Sequence, residues 1–188
     1  DEVLTVLRKN QTWQIPTLAL ISGFVERPFL SEDWQKSIDL LPDSIADNWK
    51  KGIKTLSEQE IPENTKKYAE WALSMTKKVH DMDIGIMAGT DCPIFYLTPG
   101  RSLHQELAIF SKAGLDPLEV LKTATLRPAQ YFGLESELGL IKEGYIADLV
   151  LLNKNPLDDI QNTLEIDAVI KSGKYHDRSF LMQQLIGQ

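Results

Sequence analysis

The chain has one cysteine, three histidines, a deficit of positive charge and no long apolar run. A single thiol, Cys92, excludes an intrachain disulfide and a cysteine-rich zinc site. His80, His104 and His176 stand alone; without an H-x-H or H-E-x-x-H pattern, no complete metal site is written here. Neither a G-x-S-x-G elbow nor a phosphate-binding glycine loop occurs. A helix that crosses a bilayer needs about 20 consecutive apolar residues, and no stretch approaches that. Lys and Arg number 20 against 27 Asp and Glu, a formal net charge of -7, with the bases spread among the acids. That pattern offers no footprint for a phosphate backbone and argues against a nucleic-acid partner.

What is present fits a globular chain. Of its 188 residues 43% are hydrophobic and 25% charged, enough to bury a core, in one domain or a domain with part of another. Val3, Leu4 and Leu7 fall at helical spacing behind Asp1 and Glu2, so the chain is expected to open in a helix, inside a domain. The opening has no signal-peptide apolar region, any targeting signal is expected upstream, and the compartment is left open. Trp13 to Ile21 reads as a strand, bent or ended at Pro16.

Two amphipathic helices are expected next. One carries Trp34, Ile38 and Leu41 after Ser31; the other carries Ile45, Trp49, Ile53 and Leu56 after Asp43. Their tryptophans read as core, with an aromatic-lined cleft as the alternative. Pro62 is placed at the first position of a long helix to about His80, with Tyr68, Trp71, Met75 and Val79 on one stripe. The run DIGIMAGTDCP follows, a short apolar strand ending in Asp91. Ser102 with Gln105 reads as a capping box, and Asp116-Pro117-Leu118-Glu119 as a second. Gly114 stops the first of these helices, and Pro128 starts a short third that ends at Gly133. The period then changes to that of strands: Ala147 to Leu152, and a hairpin around Ser172-Gly173. Phe180 to Ile186 reads as an amphipathic tail.

A carboxylate in the loop leaving a parallel strand stands where α/β folds build active sites, so Asp91 could bind a divalent metal or accept a proton from water. The competing reading is a turn former before Cys-Pro, and spacing alone favours the turn. His104 and Glu106, two residues apart on one helix, do not share a face and read as structural or as support behind a site. His80 and His176 read as surface residues.

The stretches GIMAGTD, LHQELAIFSKAGLDPLEVLKTATLRPAQYFGLESELGLIKEGYIADLVLLNKNPLDDIQNT and IDAVIKSGKYHD together resemble the C-terminal part of the amidohydrolase superfamily, near its imidazolonepropionase-like and prolidase-like members. The likeness is dense over about residues 84 to 178 and looser over Trp13 to Ile21. It implies an α/β chain made of the C-terminal part of a (β/α)8 barrel, about strands 7 and 8 with their helices, plus the C-terminal share of a small β-sandwich. The implied division is a partial barrel over 1–136, with a variable helical insertion at about 30–56 that helps cover the site, a sandwich segment over 137–178 and a helical tail over 179–188. The resemblance makes Asp91 a metal ligand and the general base for an attacking water, in hydrolysis of an amide, cyclic amide or dipeptide C–N bond. Gly144 to Leu152 matches a structural sandwich strand.

The same resemblance implies a divalent cation, zinc by preference and one or two ions, in the full-length protein. The family's H-x-H, its carboxylated lysine or glutamate and its histidines after strands 5 and 6 have no counterpart and are expected upstream of Asp1. A catalytic zinc normally has about three protein ligands, so this chain alone is expected to lose the metal and to be inactive. A partial barrel exposes a strand edge and apolar faces, so its expected partners are the remaining barrel half and other copies of itself, besides a small amide or dipeptide substrate. The rival reading is a non-catalytic paralogue acting as a binding or assembly module; a third is a small-molecule-binding protein without hydrolysis.

Overall fold

The computed structural model describes residues 2–186. Helix α1 (Glu2–Lys9) opens the chain as expected and buries Leu4; Asp1, placed in the same turn from sequence, lies outside the described residues. The strand expected over Trp13 to Ile21 is the main correction. Only Gln14 pairs, in a parallel bridge to Ile86: its N–H donates to the Gly85 carbonyl at 2.8 Å, and the Met87 N–H donates to the Gln14 carbonyl at 2.9 Å. Thr17 then turns left-handed at φ 48° and α2 (Leu18–Glu26) begins. A short apolar run serves a buried strand or a buried helix equally well. The helix prevails here because its first amide groups, which no helix can satisfy internally, find an acceptor elsewhere in the fold.

Helix α3 (Glu32–Ile38) is capped by Ser31, whose hydroxyl accepts the Trp34 N–H, and Trp34 and Ile38 are fully buried. Helix α4 (Asp43–Ser57) follows, with Ala46 and Ile53 buried but Ile45 exposed. Helix α5 (Glu63–Asp81) starts one residue later than expected, so Pro62 is its cap and not its first residue. Val79 is buried as expected, but the helix's other buried positions are Ala69, Ala72 and Thr76, one step round from Tyr68, Trp71 and Met75 of the expected stripe. This small-residue face packs against α2, and the bulky Tyr68 and Trp71 are left about half exposed, stacked on each other at 5.6 Å.

The strand expected in DIGIMAGTDCP is likewise reduced to the single bridge at Ile86, because only Gln14 lies alongside to pair with it; the segment still reaches the core through Ile84, Ile86 and Met87, all buried. Its two glycines are required by close approach. A Cβ on Gly85 would lie 2.6 Å from the Trp13 ring, and one on Gly89 would lie 2.5 Å from Ile15 Cγ2, both inside contact distance. Helix α6 (Arg101–Lys112) begins after Gly100, so Ser102 lies within its first turn; the capping box expected for Ser102 and Gln105 does not form. Asp116 does cap α7 (Pro117–Thr123), accepting the Leu118 N–H at 2.9 Å, while Glu119 turns to Lys122 and Arg127 and does not reach back. Helix α8 (Leu126–Phe132) starts before Pro128 and stops at left-handed Gly133, φ 70°.

The β module is an antiparallel sheet, β1 (Leu149–Leu152), β2 (Ile166–Lys171) and β3 (Lys174–Asp177), with β2 central. The first strand is two residues shorter than expected. Asp148 fastens the hairpin by accepting the Ser172 N–H at 2.7 Å and pairing with Lys171. Helix α9 (Arg178–Ile186) replaces the expected amphipathic tail with one that buries no stripe: Phe180 and Leu185 are both exposed. Residues 187–188 of that expected tail lie outside the described residues. Among the described residues no helix is long and apolar enough to cross a membrane.

Candidate active site

The two parallel segments end side by side, one running into Thr17 and α2, the other into Thr90 and Asp91. Asp91 is exposed and holds a left-handed backbone at φ 60°, a conformation that aspartate tolerates better than most residues with a side chain. Its carboxylate has no hydrogen bond or ion pair among the described residues. A turn-forming aspartate would spend its side chain on local backbone. Two residues on from Asp91 stands Pro93, which has no N–H to give, and the local turn bond is made by Thr90: its Oγ1 accepts the Cys92 N–H at 3.3 Å, spanning Asp91, whose carboxylate stays free.

The Thr90 hydroxyl is buried and bonds to the buried Ser102 hydroxyl on α6 at 3.2 Å. One turn along the same helix, Glu106 is fully buried. Its Oε1 accepts the Leu18 N–H at 3.0 Å and its Oε2 the Ala19 N–H at 2.6 Å. Burial pushes this carboxyl up to about 7, against the two amide donors that favour its ionised form. Glu106 thus caps α2 from 87 and 88 residues away in sequence, a structural role and one of the two expected for it.

His104 is also structural. Its Nδ1 lies 2.9 Å from Thr163 Oγ1 in the β module, whose hydroxyl donates to the Ile160 carbonyl at 2.8 Å. The hydroxyl therefore accepts from His104, which places a proton on Nδ1. Burial, with Arg101 and Arg178 nearby, holds this imidazole below its ordinary range. His80 and His176, expected at the surface, are half-buried and lie on other elements.

Helices α3 and α4, the expected insertion, support the loop after Asp91. Trp34 Nε1 donates to the Tyr96 carbonyl at 3.0 Å, Ser37 and Thr98 share a hydroxyl bond of 2.9 Å, and Trp49 meets the Tyr96 ring edge-on at 5.7 Å. Thr90 and Tyr96 escaped the sequence reading, and Ser102 and Trp34 entered it only as a cap and as core, because nothing in their spacing announces these contacts. A cavity of about 600 Å³ opens at the starts of the parallel segments, beside Arg8, Trp13, His80 and Arg127. A groove of about 190 Å³ lies beside Tyr68 and Trp71. Asp91 borders neither.

The free Asp91 carboxylate suits one coordination position of a divalent cation. Among the described residues no three His, Cys, Asp or Glu side chains gather into a cation site, so they offer one such position and not a complete set.

The profile of the Amidohydrolase family matches residues 42–175. The chain is 39% identical over 84 residues to the 5-methylthioadenosine/S-adenosylhomocysteine deaminase of Pyrococcus furiosus, a match covering 41% of this chain and 20% of that protein. It is 36% identical over 96 residues to the ochratoxinase of Aspergillus niger, covering 48% of this chain and 19% of the other. The crystal structure of that ochratoxinase superposes with a TM-score of 0.61 at 23% identity, over 93% of this chain and 34% of the other. A crystal structure of an Xaa-Pro dipeptidase with bound methionine superposes with a TM-score of 0.65 at 19% identity, over 94% of this chain and 37% of the other. The chain therefore spans about a fifth of the length of these curated relatives and about a third of the solved chains; these two superpositions establish a shared α/β fold. With a family profile covering most of its length, this chain belongs to the amidohydrolase family.

Proposed function

We propose that the chain is the C-terminal part of a metal-dependent amidohydrolase that hydrolyses a C–N bond in an amide, cyclic amide or dipeptide. Asp91 would serve as metal ligand and general base. The observation that carries this is the unpaired, exposed carboxylate held at the end of a parallel segment, where its neighbour Thr90 makes the local turn bond. A divalent cation, zinc by preference and one or two ions, would supply an activated water when bound. Asp91 would accept the proton of the attacking water at a carboxylate oxygen and pass it to the leaving nitrogen. Residues 1–136 then form part of a (β/α)8 barrel, and 137–178 the C-terminal share of a β-sandwich.

The other ligands must come from a part of the barrel that these residues do not supply. The chain alone is inactive on this reading, and it self-associates through the apolar faces that the rest of the barrel would cover. The test compares the full-length protein with its Asp91→Asn variant, on zinc, against Xaa-Pro dipeptides and N-acyl amino acids. Loss of a general base predicts a fall in kcat of about 10²- to 10⁴-fold. Full turnover in the variant, or turnover by the isolated chain with added zinc or manganese, contradicts the reading.

A further inference from the structure

The Asp91 backbone carbonyl accepts the Ile94 N–H at 3.3 Å, but its exposed carboxylate has no bond to hold it, yet a proton acceptor must be aimed. The support comes from behind. Thr90 Oγ1 accepts the Cys92 N–H across Asp91, and the same hydroxyl meets Ser102 of α6 at 3.2 Å. Both hydroxyls are buried, so water does not compete for either of them. Four residues further along, on the same helical face, Glu106 takes the amides of Leu18 and Ala19. One rigid helix therefore holds the loops that leave both parallel segments.

We propose that Ser102 and Thr90 are positioning residues for Asp91, and that α6 sets the spacing of the two strand-end loops by gripping one through Ser102 and the other through Glu106. This rests on Asp91 being the reacting carboxylate. A hydroxyl pair that merely fills its own hydrogen bonds would affect stability; a positioning pair affects the chemical step. Misplacing a catalytic group by about 1 Å can cost on the order of a hundredfold, so partial loosening should cost about tenfold.

The experiment uses the full-length zinc enzyme and Xaa-Pro dipeptides, with Ser102→Ala, Thr90→Val, Thr90→Ser and Asp91→Asn. Ser102→Ala and Thr90→Val should lower kcat about tenfold with KM within about twofold, because the lost interaction acts on the reaction and not on binding. Thr90→Ser, which keeps the hydroxyl, should restore kcat to within about twofold. Hydrogen exchange of the Cys92 amide should rise about fivefold in Ser102→Ala and Thr90→Val, and not in Thr90→Ser. Lys112→Ala, at the exposed end of the same helix, should change neither measurement. Where Ser102→Ala fails to fold, the contrast between Thr90→Val and Thr90→Ser carries the test. Unchanged kcat in Thr90→Val beside a dead Asp91→Asn overturns the positioning role and leaves the proposed function standing. Full turnover in Asp91→Asn overturns both.

Discussion

The carboxylate of Glu106 accepts the backbone N–H of Ala19 at 2.6 Å, joining the first turn of α2 to the middle of α6. Its Oε1 holds Leu18 in the same way, so one side chain does the work that Thr17, which makes no side-chain cap, leaves undone.

That burial has a pH consequence. The Glu106 carboxyl rises from 4.5 to about 7 on folding. Below about pH 4.5 it is protonated in both states, and above about 7 ionised in both. Between them the folded state keeps a proton that the unfolded state releases, so this group's contribution to stability falls as pH rises, on the order of 3 kcal/mol across the window. His104 works in the opposite sense. Its depressed folded value adds stability as pH rises toward 6.5, and that contribution is lost in acid. Glu106→Gln should remove the falling component and leave stability rising between pH 5 and 7. Urea unfolding at pH 5, 6, 7 and 8 measures this, and a profile parallel to that of the parent protein contradicts it.

Trp34→Phe keeps the buried ring but removes the donor to the Tyr96 carbonyl. An acceptor left without its partner costs about 1 to 3 kcal/mol. Thermal unfolding should show the loss, and amide exchange should place it in the loop of residues 94–98.

Gly85→Ala would set a methyl group 2.6 Å from the Trp13 ring, at the point where the two parallel segments cross-bond. Forced overpacking of this kind costs about 1 to 3 kcal/mol. A denaturation midpoint equal to the parent's would mean that the ring gives way freely.

The stacked Tyr68 and Trp71 beside an apolar groove form the kind of exposed patch that self-associates. Trp71→Glu should lower the apparent mass of the isolated chain in light scattering without lowering its helix content. A parent chain that is already monomeric contradicts this.

Much of the helical frame could be read in advance, because caps and periods are local. Ser31 before α3, Asp116 before α7 and Gly133 after α8 each act on amides or dihedrals within a few residues, and each behaves as its type predicts. The hairpin at Ser172-Gly173 is legible for the same reason. The failures have a common cause. Trp13 to Ile21 carries a strand-like run, yet only Gln14 pairs, because α2 is completed by Glu106 from far along the chain. Ser102 looked like a cap and proved to be a partner of Thr90, once the helix began at Arg101. The large rings of α5 looked like core, but the tight face against α2 admits only small residues.

Asp91 shows the division most clearly. Its place at the end of a short apolar run is a property of the sequence, since chain order alone puts it there. That its carboxylate is not spent on a turn is also local, because the residue two places on, Pro93, has no N–H to offer it. What only the tertiary structure decided is how the loop around the acid is held: it presses Thr90 of that loop against Ser102 of α6, two residues far enough apart that no local rule joins them, while the threonine hydroxyl accepts the Cys92 amide across the unpaired acid.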